Sequence, residues 1–334
     1  MKHFLRWFCP ILALCILPAA FLVRSALPVD TQALVEKKYD GWSGVLRAWV
    51  YSDWSAESSF NRWLNRCAEE FEHTHNGVYL EFAFAQPEDL NALFSADVPP
   101  PELIFYSPGV LRSPDGLTEL PDFPGIRPGL QTDVHAVPVA AGGYICVRNP
   151  AAETNAFVIP PDGDRRYSEA AVYIIEDSFS EAPAATDSPG IDLGLPALAR
   201  SGYAVSESAF RDFTDGKILR TIVTQKELAR LISLRGEGRG PDWSCEISGT
   251  RALCDQLLLA SVPETGAERE SVAREFVEFL LDKESQAALS FISAFGVTDT
   301  VVYPEFSPYA PMETLLRTRL PLVSSVFSGV HEIR

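Results

Sequence analysis

The chain has 334 residues, 46% of them hydrophobic, which is enough for two packed domains. Its 45 acidic and 28 basic residues give a formal charge of −17 at pH 7, which opposes docking on nucleic-acid phosphates or anionic lipid head groups. No nucleic-acid partner is expected.

Lys2 and Arg6 precede an apolar run from Trp7 to Val23, the order of charged and apolar regions in an export signal. The run contains Pro10 and Pro18 and is short for a spanning helix of about 20 residues. Residues 1–25 therefore read as a signal peptide or a retained N-terminal membrane anchor, and 26–43 as a polar linker. Leu12-Ala13-Leu14-Cys15 is similar to a lipoprotein box except at Leu14, so lipidation stands as a further alternative. Each reading places the body outside the cytoplasm, secreted or held at the outer face of the membrane.

Val45 to Trp49 reads as a strand, and Phe60, Trp63, Leu64, Cys67 and Phe71 recur at helical spacing beside it. Asn76-Gly77 marks a turn, Val78 to Phe84 alternates as a second strand, and Asp89 to Phe94 predicts a short helix. Pro99 to Pro101 ends that helix, and Glu102 to Tyr106 forms a third strand. This β-α-β-α-β order predicts a parallel sheet with ligands at the carboxyl ends of its strands. Tyr51, Ser52, Asp53 and Trp54 follow strand one, and Tyr106 and Ser107 close strand three. As a set they suit a small-molecule rim, with rings to stack and polar groups to bond at the edge. Packing on the first helix is the plainer alternative. On the rim reading, loss of Trp54 leaves stability nearly unchanged, whereas Trp63 belongs to the core.

Further along, Ala171 to Ile175 reads as a strand, Thr221 to Val223 as another, and "QKELARLISL" as a helix. "GEGRGPDWSC" is a loop that presents Trp243 either to a ligand or to its own core. Asp255 to Val262 reads as a return strand. Val272, Phe276, Phe279 and Leu280 mark a core helix, and Ser285 to Phe295 a second one.

Of six cysteines, Cys9 and Cys15 lie in the leader and Cys67 and Cys146 read as small buried hydrophobes. Cys245 and Cys254 are spaced to close a small disulfide loop or to remain buried thiols. His73 and His75, beside Asn76-Gly77, read as a solvated turn, and no spacing predicts a metal site. Neither a nucleophile elbow nor a phosphate or dinucleotide loop is present in the sequence, so no catalytic residue and no cofactor is expected.

"GVLRAWVYSDW", "AEEFEHTHNGV", "YLEFAF" and "PPPELIFYSPGVL" together resemble the opening of an extracellular solute-binding protein of a bacterial ABC importer. Three later stretches support the resemblance: "HAVPVAAGGYICVRN", "FTDGKI" and "AREFVEFLLDKESQAALSFISAFGVTDT". Glu102 stands where that family usually has aspartate. The resemblance implies an α/β, two-lobed periplasmic-binding-protein-like (type II) fold with a central cleft. Residues 44–146 and 263–334 would form the first lobe and 147–262 the second, reduced because 151–202 is rich in Pro, Asp, Ala and Ser. It also implies lobe closure about crossovers near Gly142 to Val147 and Leu257 to Val262. The site would use Tyr51, Ser52, Asp53, Trp54, Tyr106, Ser107, Gly143, Tyr144 and Trp243. A monomer would deliver a small polar solute, a sugar or oligosaccharide, to ABC permease subunits. Two alternatives stand beside it: a membrane-tethered sensory or interaction protein with a degenerate site, and a secreted hydrolase.

Overall fold

The structure, a computed structural model, describes residues 41–54, 57–93, 99–131, 133–163, 165–176, 203–246, 251–301, 303, 309–318, 320–322 and 325–329. The expected leader, Cys9 and Cys15, and linker residues 26–40 lie outside the described residues. No helix among the described residues is long and apolar enough to cross a membrane.

Two five-stranded sheets organise the body. The first is built from β1 (Gly44–Val50), β2 (Val78–Phe84), β3 (Leu103–Tyr106), β4 (Val137–Ala141) and β11 (Leu257–Ser261), in the order β2-β1-β3-β11-β4. β1 pairs in parallel with β2 and β3, and β11 runs antiparallel to β3 and β4. Alternation explains β1, whose Leu46, Ala48 and Val50 are buried while Val45 is half exposed. Every residue of β3 is buried, as expected of a strand covered on both faces.

Helix α1 (Glu57–Thr74) buries Phe60, Trp63, Leu64, Cys67 and Phe71 along one stripe. The Trp63 indole donates to the Ser285 carbonyl at 2.9 Å. The Phe71 ring meets Phe276 edge-on, with centroids 5.2 Å apart. α2 (Pro87–Ala92) is the short helix before β3. Glu102, the departure from aspartate, is a structural clamp. Its buried carboxylate accepts from the Arg47 backbone and guanidinium and from Arg269 Nη1 at 3.0 Å.

The second sheet runs β7-β6-β8-β5-β9, from β5 (Tyr144–Arg148), β6 (Thr154–Ile159), β7 (Ala204–Val205), β8 (Ile218–Thr224) and β9 (Ser244–Glu246). It has as many strands as the first, so the Pro- and Ala-rich stretch does not cost the second lobe its sheet. Residues 177–202 of that stretch lie outside the described residues.

The expected strand at Ala171 to Ile175 is instead part of helix α3 (Tyr167–Glu176). Buried Tyr167, Ala170 and Ala171 recur at spacings of three and four and pack on Tyr144, Cys146, Ile159 and Ile222. Small alanines at helical spacing fit a helix against a sheet, and that periodicity overrides the β-branched run that follows.

Helix α4 (Ala209–Thr214) precedes β8. α5 (Gln225–Gly236) opens with a capping box between Thr224 and Glu227. The short β10 (Arg251–Leu253) pairs in parallel with β12 (Leu320–Leu322). Helix α6 (Ala267–Leu280) contains the expected core stripe. The last predicted helix is split into α7 (Lys283–Ala288) and a 3-10 turn, Leu289–Ile292, that ends in left-handed Ser293. α8 (Ala310–Thr318) completes the described helices.

Cys67 and Cys146 are buried as expected, and Cys245 and Cys254 are not joined by a disulfide, so the disulfide alternative is corrected. His75 stacks on Phe71 at 3.7 Å with its Nε2 3.3 Å from Glu275, a packing position rather than a solvated turn.

Candidate functional site at the lobe crossovers

The chain passes between the sheets at Gly142-Gly143, joining β4 to β5, and at Cys254-Asp255-Gln256, joining β10 to β11. β4 and β11 belong to the first sheet and β5 to the second, whereas β10 pairs with β12 and its Leu253 packs with Tyr144 and Ile222 in the second lobe's core. Ala141 is anchored in the first lobe by reciprocal backbone bonds with Phe295 at 3.0 and 2.7 Å. Gly143 is anchored in the second, where its N–H donates to Gln225 Oε1 at 3.0 Å. Between them, the Gly142 N–H donates to the Gln256 carbonyl at 2.7 Å and ties one crossover to the other. A Cβ at Gly142 would lie 2.6 Å from both Gln225 Nε2 and Gln256 Oε1, so any larger residue requires these two side chains to shift.

The residues expected on the rim divide into two groups. Tyr51 is half-buried and continues the sheet through its N–H to the Phe105 carbonyl at 2.8 Å. The Asp53 side chain is exposed, and its backbone N–H donates to Ser107 Oγ at 3.2 Å. Ser52 is only 9% exposed, yet its Oγ has no hydrogen-bond partner. Tyr51 and Asp53 are thus at least partly accessible, whereas Ser52 and the others are internal.

Trp54 is 3% exposed, donates from Nε1 to the Leu257 carbonyl at 3.0 Å and meets Phe60 edge-on at 5.0 Å. It bolts the end of β1 to β11, so the expectation that its loss leaves stability unchanged is overturned. Tyr106 is fully buried, with its phenol 3.1 Å from Ser261 Oγ, and burial pushes its pKa far up. Ser107 is buried as well. Trp243 is folded onto its own lobe, where the Arg235 guanidinium lies 3.9 Å above its ring and donates to its carbonyl.

Tyr144 sits at the first crossover, 3% exposed, and its phenol accepts from the Arg166 N–H at 3.0 Å. Burial, followed by the Asp255 charge, pushes that phenol well up. Tyr167 packs edge-on against it at 5.6 Å and donates to Glu227 Oε2 at 3.0 Å. Burial and the Glu227 charge raise Tyr167 to about 12.

Around these rings lies a polar group that the sequence did not single out. Arg166 Nε donates to Asp255 Oδ2 at 3.0 Å and Nη1 to Glu169 Oε2 at 2.8 Å. Burial raises the Asp255 pKa against the opposing pull of Arg166, and its second oxygen, Oδ1, has no partner. The Gln256 amide, 2% exposed, has the Tyr144 phenol as its hydrogen-bonding neighbour and no further well-aligned partner among the described residues. By contrast, equally buried Gln286 donates to the Val139 and Leu280 carbonyls and accepts from the Val297 N–H. Arg165 reaches across the cleft: its Nη2 is 3.4 Å from the Trp54 carbonyl in the first lobe, while Nη1 is 3.5 Å from the Tyr167 phenol in the second. Arg165 and Arg166 thus place charged donors at the end of β1 and at the second crossover, groups of the kind that can hold a polar solute.

Sequence signals for this group exist in hindsight. "RR" stands immediately before a helix in an acidic chain, and "DQ" interrupts the apolar run "ALCDQLLLAS". Among the described residues no cluster of His, Cys, Asp and Glu is arranged to hold a metal ion. An open groove of about 410 Å³, lined by Trp42 and Thr265 to Arg269, lies before the amino end of β1, away from the crossovers.

No protein-family model and no curated protein sequence matches the chain. Solved structures do. The cyclic α-maltosyl-1,6-maltose binding protein of Arthrobacter globiformis superposes with a TM-score of 0.60 at 11% identity, over 85% of this chain and 89% of that one. The GacH receptor of Streptomyces glaucescens, solved unliganded and with acarbose, gives 0.56 at 12% identity, over 86% and 89%. Thiaminase I of Bacillus thiaminolyticus also gives 0.56 at 12% identity, over 85% and 95%. The chain therefore has the two-lobed fold of periplasmic binding proteins, a fold that also carries an enzyme.

Proposed function

We propose that this protein is an extracytoplasmic solute-binding protein that closes its two lobes on a small polar solute, a sugar or oligosaccharide, and delivers it as a monomer to the permease of an ABC transporter. The observation that carries the reading is the pair of arginines at the start of α3: Arg165 spans from the Tyr167 phenol to the Trp54 carbonyl of the first lobe, and Arg166 bonds Asp255 at the second crossover. Two similar structures are of proteins that bind a cyclic maltosyl-maltose or acarbose. The mechanism follows from the anchoring. Ala141 moves with the first lobe and Gly143 with the second, so rotation is concentrated at Gly142 and at Cys254 to Gln256. A solute that touches both lobes only when they are closed shifts the population toward closure.

A binding rather than catalytic role is also supported by the thiols. Burial raises Cys67 and Cys245 to about 12 and Cys146 further, which leaves these three protonated and poor as nucleophiles. One observation favours a second reading, the membrane-tethered sensory or interaction protein: Trp54, Tyr106 and Trp243 are internal, which leaves Tyr51 as the expected stacking ring near the cleft. A thermal-shift screen of residues 26–334 against sugars, amino acids, peptides, polyamines and oxyanions separates the two. A solute at a hundredfold excess over Kd stabilises the fold by about 2.7 kcal/mol, and small-angle scattering then shows a smaller radius of gyration. No stabilisation by any class overturns the transport reading and selects the second.

A further inference from the structure

We infer that the solute is an acidic saccharide, a sugar bearing a carboxylate, and that Arg165 is the residue that reads the acid. The inference rests on the proposed solute-binding reading and deepens it.

Charge accounting separates the two neighbouring arginines. Arg166 is bound by two carboxylates, Asp255 at 3.0 Å and Glu169 at 2.8 Å. Arg165 has no carboxylate of the described residues within 4 Å, and its neighbours are one carbonyl and one phenol at 3.4 and 3.5 Å, the long end of hydrogen bonding. Glu227, whose charge acts on Arg165, already accepts from the Tyr167 phenol, the Thr224 hydroxyl and the Thr224 N–H. Among the described residues, the half-buried Arg165 guanidinium at this lobe-to-lobe contact has no direct carboxylate contact, only the Glu227 charge acting across the Tyr167 phenol, so it can take an anion in its own plane. Closing the lobes further would strip water from that cation, a step that is costly without a partner and favourable with a carboxylate in the plane of the guanidinium.

The unpartnered groups nearby ask for hydroxyls instead. Asp255 Oδ1 is an acceptor that needs a donor, and Ser52 Oγ can donate or accept. The Gln256 amide offers one of each. A ligand with one carboxylate and several hydroxyls matches both demands, with its acid on Arg165 and its hydroxyls toward Asp255, Gln256 and Ser52. A simple anion satisfies only the first demand and a neutral sugar only the second.

Isothermal titration with matched pairs tests this. The probes are galacturonate and galactose oligosaccharides of equal length and linkage, with citrate as a non-sugar acid, against wild type and Arg165→Gln. The expected result is binding of the galacturonate oligomer at least tenfold tighter than its galactose counterpart, and a loss of affinity in Arg165→Gln that is at least tenfold larger for the galacturonate oligomer than for the galactose one. Arg165→Lys, which keeps the charge but not the planar fork, should recover part of the preference. A circular dichroism melt of each variant confirms folding. Equal affinity for the two oligosaccharides, or an equal loss for both in Arg165→Gln, overturns the inference and leaves the saccharide-binding reading standing. Binding of citrate alone overturns the saccharide reading, and silence from every probe overturns both.

Discussion

Trp54→Ala should unfold the protein more easily, not merely blunt a binding site. The substitution removes a ring that is 3% exposed and packed edge-on against Phe60, and it deletes the donor to the Leu257 carbonyl. Truncating a buried tryptophan costs about 3–5 kcal/mol through lost burial and the cavity left behind. The stranded carbonyl, at the head of β11 beside the second crossover, adds about 1 kcal/mol. Together these consume much of the roughly 5–15 kcal/mol that holds an ordinary domain folded. Urea denaturation followed by circular dichroism should show a lower midpoint at unchanged slope. Trp54→Phe, which keeps most of the ring, should recover most of the loss but not the hydrogen-bond share. Trp63→Ala, which removes an equally buried indole bonded to the Ser285 carbonyl, should fall by a similar amount. If Trp54→Ala instead keeps the wild-type midpoint while solute affinity drops, the indole faces the cleft in solution and the reasoning from burial is wrong.

Gly142→Ala places a methyl carbon 2.6 Å from two glutamine side chains, and its repacking strain of about 1–3 kcal/mol should enlarge the ligand-free radius of gyration in small-angle scattering. An unchanged radius and melting temperature would show that the glutamines yield freely. Glu102→Gln keeps the shape but removes the charge shared by Arg47 and Arg269; because both arginines are partly solvated, a loss of only about 1–3 kcal/mol is expected in urea. With Cys245 and Cys254 not joined by a disulfide, non-reducing mass mapping should find both unlinked, and dithiothreitol should leave the melting temperature unchanged. The buried thiols and phenols also set an alkaline limit. Cys67 and Cys245 stay protonated to about 12 in the folded state, whereas their ordinary value is 9.0, so the unfolded chain releases protons first. Stability is therefore full below about pH 9 and declines as pH rises from there toward about 12. A urea midpoint at pH 10.5 equal to that at pH 7 would contradict this.

The first lobe was legible because its signals are local. Alternation in Val78 to Phe84, the helical stripe from Phe60 to Phe71 and the Asn76-Gly77 turn each depend on neighbours within a few positions. "AVYII" misled because β-branched composition outweighed the spacing of Tyr167, Ala170 and Ala171, which sits mostly upstream of it. The fate of Trp54 depends on a carbonyl 203 residues away, and no window of sequence contains that information. The same holds for Trp243, whose cleft-facing alternative was decided by where Arg235 of the preceding helix points.

Site residues were hardest to find because the site is a product of topology. Asp255 and Gln256 read naturally as the start of a strand. They become a crossover only because β11 inserts between β3 and β4 in the first sheet while β10 pairs elsewhere. Arg165 and Arg166 read as a solvated doublet until α3 is placed against Tyr144, which brings Arg166 to Asp255 and Arg165 to the far lobe. Buried atoms without partners at such a place are informative because they work against the fold: each costs about 1–3 kcal/mol that an apolar side chain would spare. Gln286 shows that this chain can bury an amide with every bond made. The unmet bonding of Asp255 Oδ1 and Ser52 Oγ, with Gln256 held only by the Tyr144 phenol, is therefore a better argument for the proposed site than the aromatic residues that first suggested a rim.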